Sequence, residues 1–417
     1  MIGQTTETSP HTRLNTLVDK DSPGDRFVQR HPAVDPTDEV DARASLTVHY
    51  RAVNEWRMKP GARGHTMSEA IERMTSRHIR VRQEWLALRT ELALEPTLPI
   101  IDPHHHLWDA PARDTRYFLD DLNADLADGG HNIVSTVFIE CHAMYRRGGE
   151  VEMAPVGEVE FANGFAAMSA SGGYGRTRVC EGIVGYAELG LGARVREVLE
   201  AEIAAGGGRF RGVRNLSVWH KDPAAHGSSA NPPPDVLTNP RFREGFAVLA
   251  SLGLTFDAFM YHTQLAELVA VARAFPQATI ILDHCGGPIG IGPYASRRRE
   301  TFEEWRTELK TLAQCENVRI KVGGLGMRLF GFDVHTHELP PSSEQLAAAW
   351  RPYIETCIEL FGPKRSMFES NFPVDKGSCS YGNLWNAFKR ITAGYSATDK
   401  DWLYRRCAGE AYKLQLD

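Results

Sequence analysis

From residue 98 onward the chain alternates between two rhythms. Runs of β-branched and aromatic residues, mostly bounded by Gly, Pro or Asn, fall at 98–102, 132–140, 179–187, 211–218, 253–260, 278–283, 317–322 and 366–370. These read as strands. Helices are expected between them over 119–128, 156–170, 192–205, 239–252, 263–275, 297–315, 343–361 and 382–393, with a last one over 398–413. Eight strands, each followed by a helix, predict an α/β fold, a closed (β/α)8 TIM barrel. An open doubly wound sheet is the competing architecture. It requires a phosphate-binding glycine loop after the first strand, where this chain carries Pro103-His104-His105-His106.

The first 95 residues follow a different pattern. Residues 1–36 are rich in Pro, Asp, Thr and Arg and read as a loosely packed arm. A helix is expected from about Asp38 to Met58, ended by Pro60-Gly61. Thr66 and Glu69 then fit a capping box that opens a helix to about Leu94. Its apolar stripe is Met67, Ile71, Met74, Val81, Trp85, Leu88 and Leu92. The chain therefore divides into an N-terminal arm and helical extension, 1–95, and a barrel, 96–417. The stripe packs on its own domain or serves as a subunit contact in a homo-oligomer.

Composition narrows the function classes. Of the 417 residues, 42% are hydrophobic and 24% charged, and the net charge is −6. That balance gives no sign of nucleic acid or an anionic membrane as a partner. Seven widely spaced cysteines without a C-x-x-C motif fit reduced thiols in a cytoplasmic protein. The N-terminus is polar, without the apolar core of a secretory signal, and no apolar run is long enough to span a bilayer.

In a (β/α)8 barrel the active site lies at the C-terminal ends of the strands. Chemically capable residues sit there at nearly every expected strand. Strand one ends in His104 and His106, which share a face because side chains alternate; Asp102 joins them if the strand stays regular, and His105 points away. Two imidazoles on one face can begin a metal site. Strand two supplies Glu140, either as the acceptor that fixes a histidine tautomer or in contact with substrate. Strand four supplies Arg214, suited to an anionic substrate group, with Arg211 on the other face. Tyr261 and His262 follow strand five, as helix caps or substrate contacts. Asp283, before His284 on strand six, is expected to turn toward the helices. Lys321 lies on strand seven, and Glu369, Asn371 and Asp375 follow one another at strand eight. His142, His220 and the pair His335 and His337 read as loop residues. The long loops Trp219–Thr238 and Gly323–Ser342 lie on the same side and suit a lid.

His104-x-His106, Asp283-His284-x-Gly286 and Met367-Phe368-Glu369-Ser370-Asn371-Phe372-Pro373, in that order, resemble the amidohydrolase-related family 2 over residues 97–415. The similarity is greatest to its lactonase-like branch, that of L-fuconolactonase and 2-pyrone-4,6-dicarboxylate lactonase. The resemblance implies a hydrolase of small molecules in which His104, His106 and His284 surround the reacting carbonyl. It implies a divalent metal on those histidines, Zn²⁺ first, although some lactonases work without one. The family's strand-eight motif carries an Asp where this chain has Asn371, and an amide is neither a base nor a good zinc ligand. Glu369, Asp375, Glu140 or a histidine is left to supply the base. The expected function is opening of a lactone or related cyclic ester or amide, of a carboxylated or sugar-acid-like compound. A decarboxylase on the same scaffold and a catalytically impaired binding protein, suggested by Asn371, are the alternatives.

Overall fold

The computed structural model describes residues 78–110, 115–227 and 232–416. Eight parallel strands form one sheet in sequential order. They are β1 (Pro99–His105), β2 (Asn132–Ile139), β3 (Arg178–Gly185), β4 (Phe210–Leu216), β5 (Thr255–Phe259), β6 (Ile280–Leu282), β7 (Val318–Gly323) and β8 (Ser366–Glu369). The sheet closes between β8 and β1. Beyond the last strand residue, Asn371 N–H donates to His104 O at 2.9 Å and His106 N–H to Phe372 O at 2.8 Å. The (β/α)8 barrel expected from the strand rhythm is thus present, with the polar residues after β8 forming part of the seam.

Each strand returns through a helix: α1 (Leu119–Gly129), α2 (Val156–Ala170), α3 (Val195–Ala205), α4 (Pro240–Ser251), α5 (Leu265–Ala274), α6 (Arg298–Leu312), α7 (Ser343–Phe361) and α8 (Tyr381–Ile391). α7 shows how local chemistry sets the boundaries. Ser342 Oγ accepts Gln345 N–H at 3.2 Å and Gln345 Oε1 accepts Ser342 N–H at 2.9 Å, a closed capping box. The last expected helix is interrupted: residues 397–401 and 407–411 are α-helical, with a wider π turn over Trp402–Arg406 between them. A short antiparallel hairpin, Trp108–Ala110 with Thr115–Tyr117, follows β1 and was not expected from the pattern.

The strands are buried on both faces, and one continuous apolar layer separates them from the helices. In that layer Phe388 of α8 stacks on Phe368 of β8 with ring centroids 4.6 Å apart, and Trp385 meets Phe388 edge-on at 5.5 Å. All seven cysteine thiols are unpaired. No helix among the described residues is long and apolar enough to cross a membrane.

The helix expected to run to Leu94 does not. Its first part, and the helix expected over 38–58, lie outside the described residues. Of the remainder only Gln83–Leu86 is helical. Trp85 and Leu86 are buried, whereas Leu88 is 62% and Leu92 93% exposed, so the stripe does not face one surface. The reason is competition for the backbone. Asn386 of α8 accepts Leu94 N–H at 2.7 Å and donates to Leu92 O at 2.9 Å, and Lys389 donates to Leu94 O and Glu95 O at 2.8 and 2.9 Å. Those groups are spent on tertiary bonds and cannot close helical turns.

Phe388→Ala should lower the unfolding free energy by about 3–5 kcal/mol, measured by urea titration, because the ring is fully buried in a layer too tight to collapse around the void.

Candidate active site

β1 is irregular, with register shifts between Ile100 and Ile101 and between Asp102 and His105. His104 and His106 nevertheless meet, their Nε2 atoms 3.3 Å apart. His105 points the other way, onto Thr136 Oγ1 at 2.8 Å, and burial pushes its pKa down to about 3. Asp102 does not join the histidines. One of its oxygens accepts Ser370 N–H at 3.0 Å and the other the Tyr381 hydroxyl at 2.9 Å. The break in register is the cause, since simple alternation holds only along a regular strand.

Glu369, at the end of β8, sits between two imidazoles. Its Oε2 lies 2.8 Å from His104 Nδ1 and its Oε1 2.8 Å from His284 Nδ1, while His284 N–H donates to Oε1 at 3.1 Å. Room for this contact comes from β7, which ends in Gly323-Gly324. A Cβ at Gly324 would stand 2.4 Å from His284 Nδ1, and one at Gly323 2.6 Å from Glu369 Cγ. His106 Nδ1 is likewise held, 2.8 Å from Ile139 O. His284 Nδ1 faces Glu369 and His106 Nδ1 faces Ile139 O, so each carries its hydrogen and leaves its Nε2 lone pair outward, whereas His104 Nδ1 stands between the Glu369 carboxylate and the Lys321 ammonium.

The charges around them are balanced. Burial opposes ionisation of Glu369, but the charges and N–H groups of His284 and His104 win and bring its pKa to about 2. Burial and then the Lys321 ammonium hold His104 well below the usual imidazole range; burial and then Arg214 do the same to His106. Lys321 Nζ lies 2.7 Å from Asp257 Oδ2, 3.0 Å from Asp283 Oδ1 and 3.1 Å from His104 Nδ1. The ammonium donates to Asp257, can only donate toward His104 Nδ1, and forms an ion pair with Asp283. Tyr412, after the last helix, donates to Asp257 Oδ2 at 2.5 Å.

Asp283 therefore turns inward, not toward the helices. β6 stops at Leu282, and His284 and Cys285 both have φ of +53°, so the pleat ends and successive side chains enter the same space. Asn371 also has positive φ, +54°, and its Nδ2 donates to Asp375 Oδ1 at 2.9 Å. Gly326 N–H donates to Asp375 Oδ2 at 2.8 Å. Burial raises the Asp375 carboxyl to about 7, against the pull of Gly326 N–H, His284 and the Asn371 amide.

The remaining expected site residues divide. Arg214 enters the barrel, but its Nε donates to Glu140 Oε1 at 2.7 Å and its guanidinium also bonds Glu140 O. Glu140 thus neutralises Arg214, and the histidine it approaches is His142, 3.8 Å away, not one of the clustered three. Tyr261 and His262 lie away from the histidine cluster and hold loops: Tyr261 OH accepts Gly227 N–H at 2.9 Å, and His262 Nδ1 accepts Ile289 N–H at 3.2 Å. His142 is half exposed and pairs with Tyr145 OH, and His220 with Tyr294 OH. Asp257 is legible in sequence as a chemically capable residue at the end of strand five, though not as the partner of Lys321; Tyr412 was missed, and no signal marked it.

The His104 and His106 Nε2 atoms, 3.3 Å apart, have the spacing of one ligand-to-ligand edge of a tetrahedral cation site with bonds of about 2.0–2.1 Å. His104, Asp283 and His284 also offer atoms within 4.8 Å of one another. Asp283 is spent on Lys321, so the imidazoles are the better donors. Arg214, with a guanidinium nitrogen 3.4 Å from His104 Nε2, is tolerable beside a cation only because Glu140 offsets it.

A (β/α)8 barrel with imidazoles and carboxylates converging at the C-terminal ends of its strands belongs to the class of barrel enzymes that act through a polarised centre. Residues 101–414 match the family model described as amidohydrolase. The chain belongs to that family, and with it to the hydrolases. An uncharacterized protein of Sinorhizobium fredii is 33% identical over 337 residues, covering 76% of this chain and 99% of that one. The L-fucono-1,5-lactonase of Burkholderia ambifaria is 24% identical over 283 residues, 68% of this chain and 83% of its own. A crystal structure of an amidohydrolase from Burkholderia multivorans with bound zinc superposes with a TM-score of 0.56 at 21% identity, covering 76% of this chain and 99% of that one. It shares the fold.

Glu369→Gln should flatten the acid limb of stability. A carboxylate held below its usual 4.5 contributes stability that is complete above 4.5 and lost as pH falls toward about 2. Urea titrations between pH 5 and 2 should therefore fall less steeply for the variant than for the wild type.

Proposed function

We propose that the protein opens a lactone of a small sugar-acid-like or carboxylated compound, by attack of water on the ring carbonyl at the barrel mouth. The observation that carries this reading is the Glu369 carboxylate held between His104 and His284, beside which the His106 imidazole meets His104. The relative named as an L-fucono-1,5-lactonase supports the substrate class.

His104, His106 and His284 surround the position of the carbonyl oxygen, and since bare Nε2 lone pairs repel the charge that develops on it, a cation between them is required. The same three side chains would hold a divalent ion, Zn²⁺ first, which when bound polarises the carbonyl as a Lewis acid; the zinc-bound structure of the family relative supports that choice. Asp375 takes the proton from water. Asn371 stands where the family resemblance places an Asp, and its amide brings the Asp375 carboxylate to within 2.9 Å of it. A carboxyl at about 7 suits general base work at neutral pH. Glu369, at about 2, is too acidic for that role and acts by positioning the histidines. A buried site of this kind fits a small-molecule substrate.

If Asp375 is the base, kcat/KM for lactone hydrolysis should rise with pH through about 7, because only the ionised form accepts a proton. Asp375→Asn should remove this limb and lower kcat by roughly 100-fold or more. Asn371→Asp, which restores the family residue, should move the limb to higher pH by setting two carboxylates side by side. A limb unchanged in both variants would assign the proton to another group. Release of CO₂ instead of acid titration would replace the hydrolase reading with the decarboxylase one.

Chelation should abolish activity and added Zn²⁺ restore it, with elemental analysis giving about one ion per chain. Full activity with sub-stoichiometric metal would remove the ion and leave lactone hydrolysis standing.

A further inference from the structure

The segment before the family-matched region crosses the mouth of the barrel. Ile79 is buried, and its carbonyl lies so close to the loop after β8 that a Cβ at Gly377 would stand 2.4 Å from it. Trp85 Nε1 donates to His337 O and Glu338 O at 3.2 and 3.1 Å, and Arg82 donates to His335 O at 2.5 Å. This strap, 78–86, is pinned to the loops after β7 and β8.

Under it lies a narrow cleft lined by His78, Ile79, Gly227, Phe259, Met327, Arg328 and Val374. The cleft adjoins the histidine cluster at Phe259, and on its other side Trp108 stands between it and His106. The Phe259 ring meets His284 edge-on at 4.9 Å. The His78 ring lies 6.0 Å from Trp108, which stacks on His106 at 5.9 Å. Ile79, Phe259, Met327 and Val374 make its wall apolar. Arg328, in the loop after β7, is exposed, and among the described residues no carboxylate pairs with its guanidinium. Arg214, whose guanidinium lies beside His104, is neutralised by Glu140.

We propose that this cleft takes the non-reacting end of the substrate, that Arg328 binds a carboxylate there, and that the strap supplies the outer wall. An unpaired guanidinium beside an apolar wall is well suited to a carboxylate, whose two oxygens match its planar fork. The inference rests on the lactone-hydrolase reading of the site. It adds to that reading a substrate carrying a carboxylate besides the one that hydrolysis releases. It also makes a specificity element of residues that lie before the family-matched segment, 101–414.

The test compares two probes with the full-length protein: the lactone of glucaric acid, which keeps a free carboxylate, and the lactone of fuconic acid, which has none. Arg328→Ala should raise KM for the glucaric lactone by about 10-fold or more, as loss of a charge-assisted bond predicts. Its kcat should change little, and the rise in KM for the fuconic lactone should be several-fold smaller. Arg328→Lys should fall between wild type and Arg328→Ala. Ile79→Ala should raise KM for both probes; an unchanged KM there overturns the strap's part. Equal shifts for both lactones in Arg328→Ala, or no shift, overturn the carboxylate contact. If the wild type hydrolyses neither probe, the lactone reading fails by itself, and calorimetric titration with glucarate and fuconate decides the cleft. Weaker glucarate binding in Arg328→Ala alone upholds the proposal; equal binding, or none to the wild type, overturns it.

Discussion

One carboxylate organises the centre of this barrel. Glu369 comes from β8, His104 from β1 and His284 from the end of β6, and the two 2.8 Å contacts join three strands that the chain reaches far apart. A buried ionised carboxylate is costly unless its oxygens are satisfied; Oε1 accepts the His284 ring and backbone N–H groups, and Oε2 lies at ion-pair distance from His104 Nδ1. The same bonds decide the tautomer of the His284 ring. Structural and chemical requirements are therefore met by one set of contacts, and neither can be altered without the other.

Around that carboxylate the barrel interior is a balanced charge lattice. Lys321 answers Asp257 and Asp283, and Arg214 answers Glu140. Breaking one partner of such a pair leaves an uncompensated buried charge, which costs far more than the pair contributes. That explains why so many charged residues point inward in a protein whose strands otherwise read as apolar. It also explains why Arg214, attractive in isolation as an anion receptor, is not free to act as one.

The barrel was legible because its signal is repeated eight times, and α2 and α7 fall over the residues expected for them. His104, His106 and His284 were legible because they end strands. Sequence alternation failed where strands become irregular: Asp102 left its expected face at a register shift, and Asp283 stayed inside because the pleat stops at Leu282. The expected helix to Leu94 failed because periodicity carries no information about Asn386 and Lys389, nearly 300 residues away, which take its backbone groups. Arg328 gave no signal, since nothing in the sequence places it beside Ile79.

The Tyr412 hydroxyl on Asp257 has a consequence in time rather than in space. It reaches 155 residues back along the chain, and Lys321 reaches 217 back to His104. A ribosome releases β1 with its histidines long before the segment bearing Tyr412 exists. During that interval the imidazoles lack Glu369 and the aspartates lack a partner hydroxyl. The nascent barrel carries its reactive groups unassembled, and they come together as a set only when the final helical segment seals the floor beneath them.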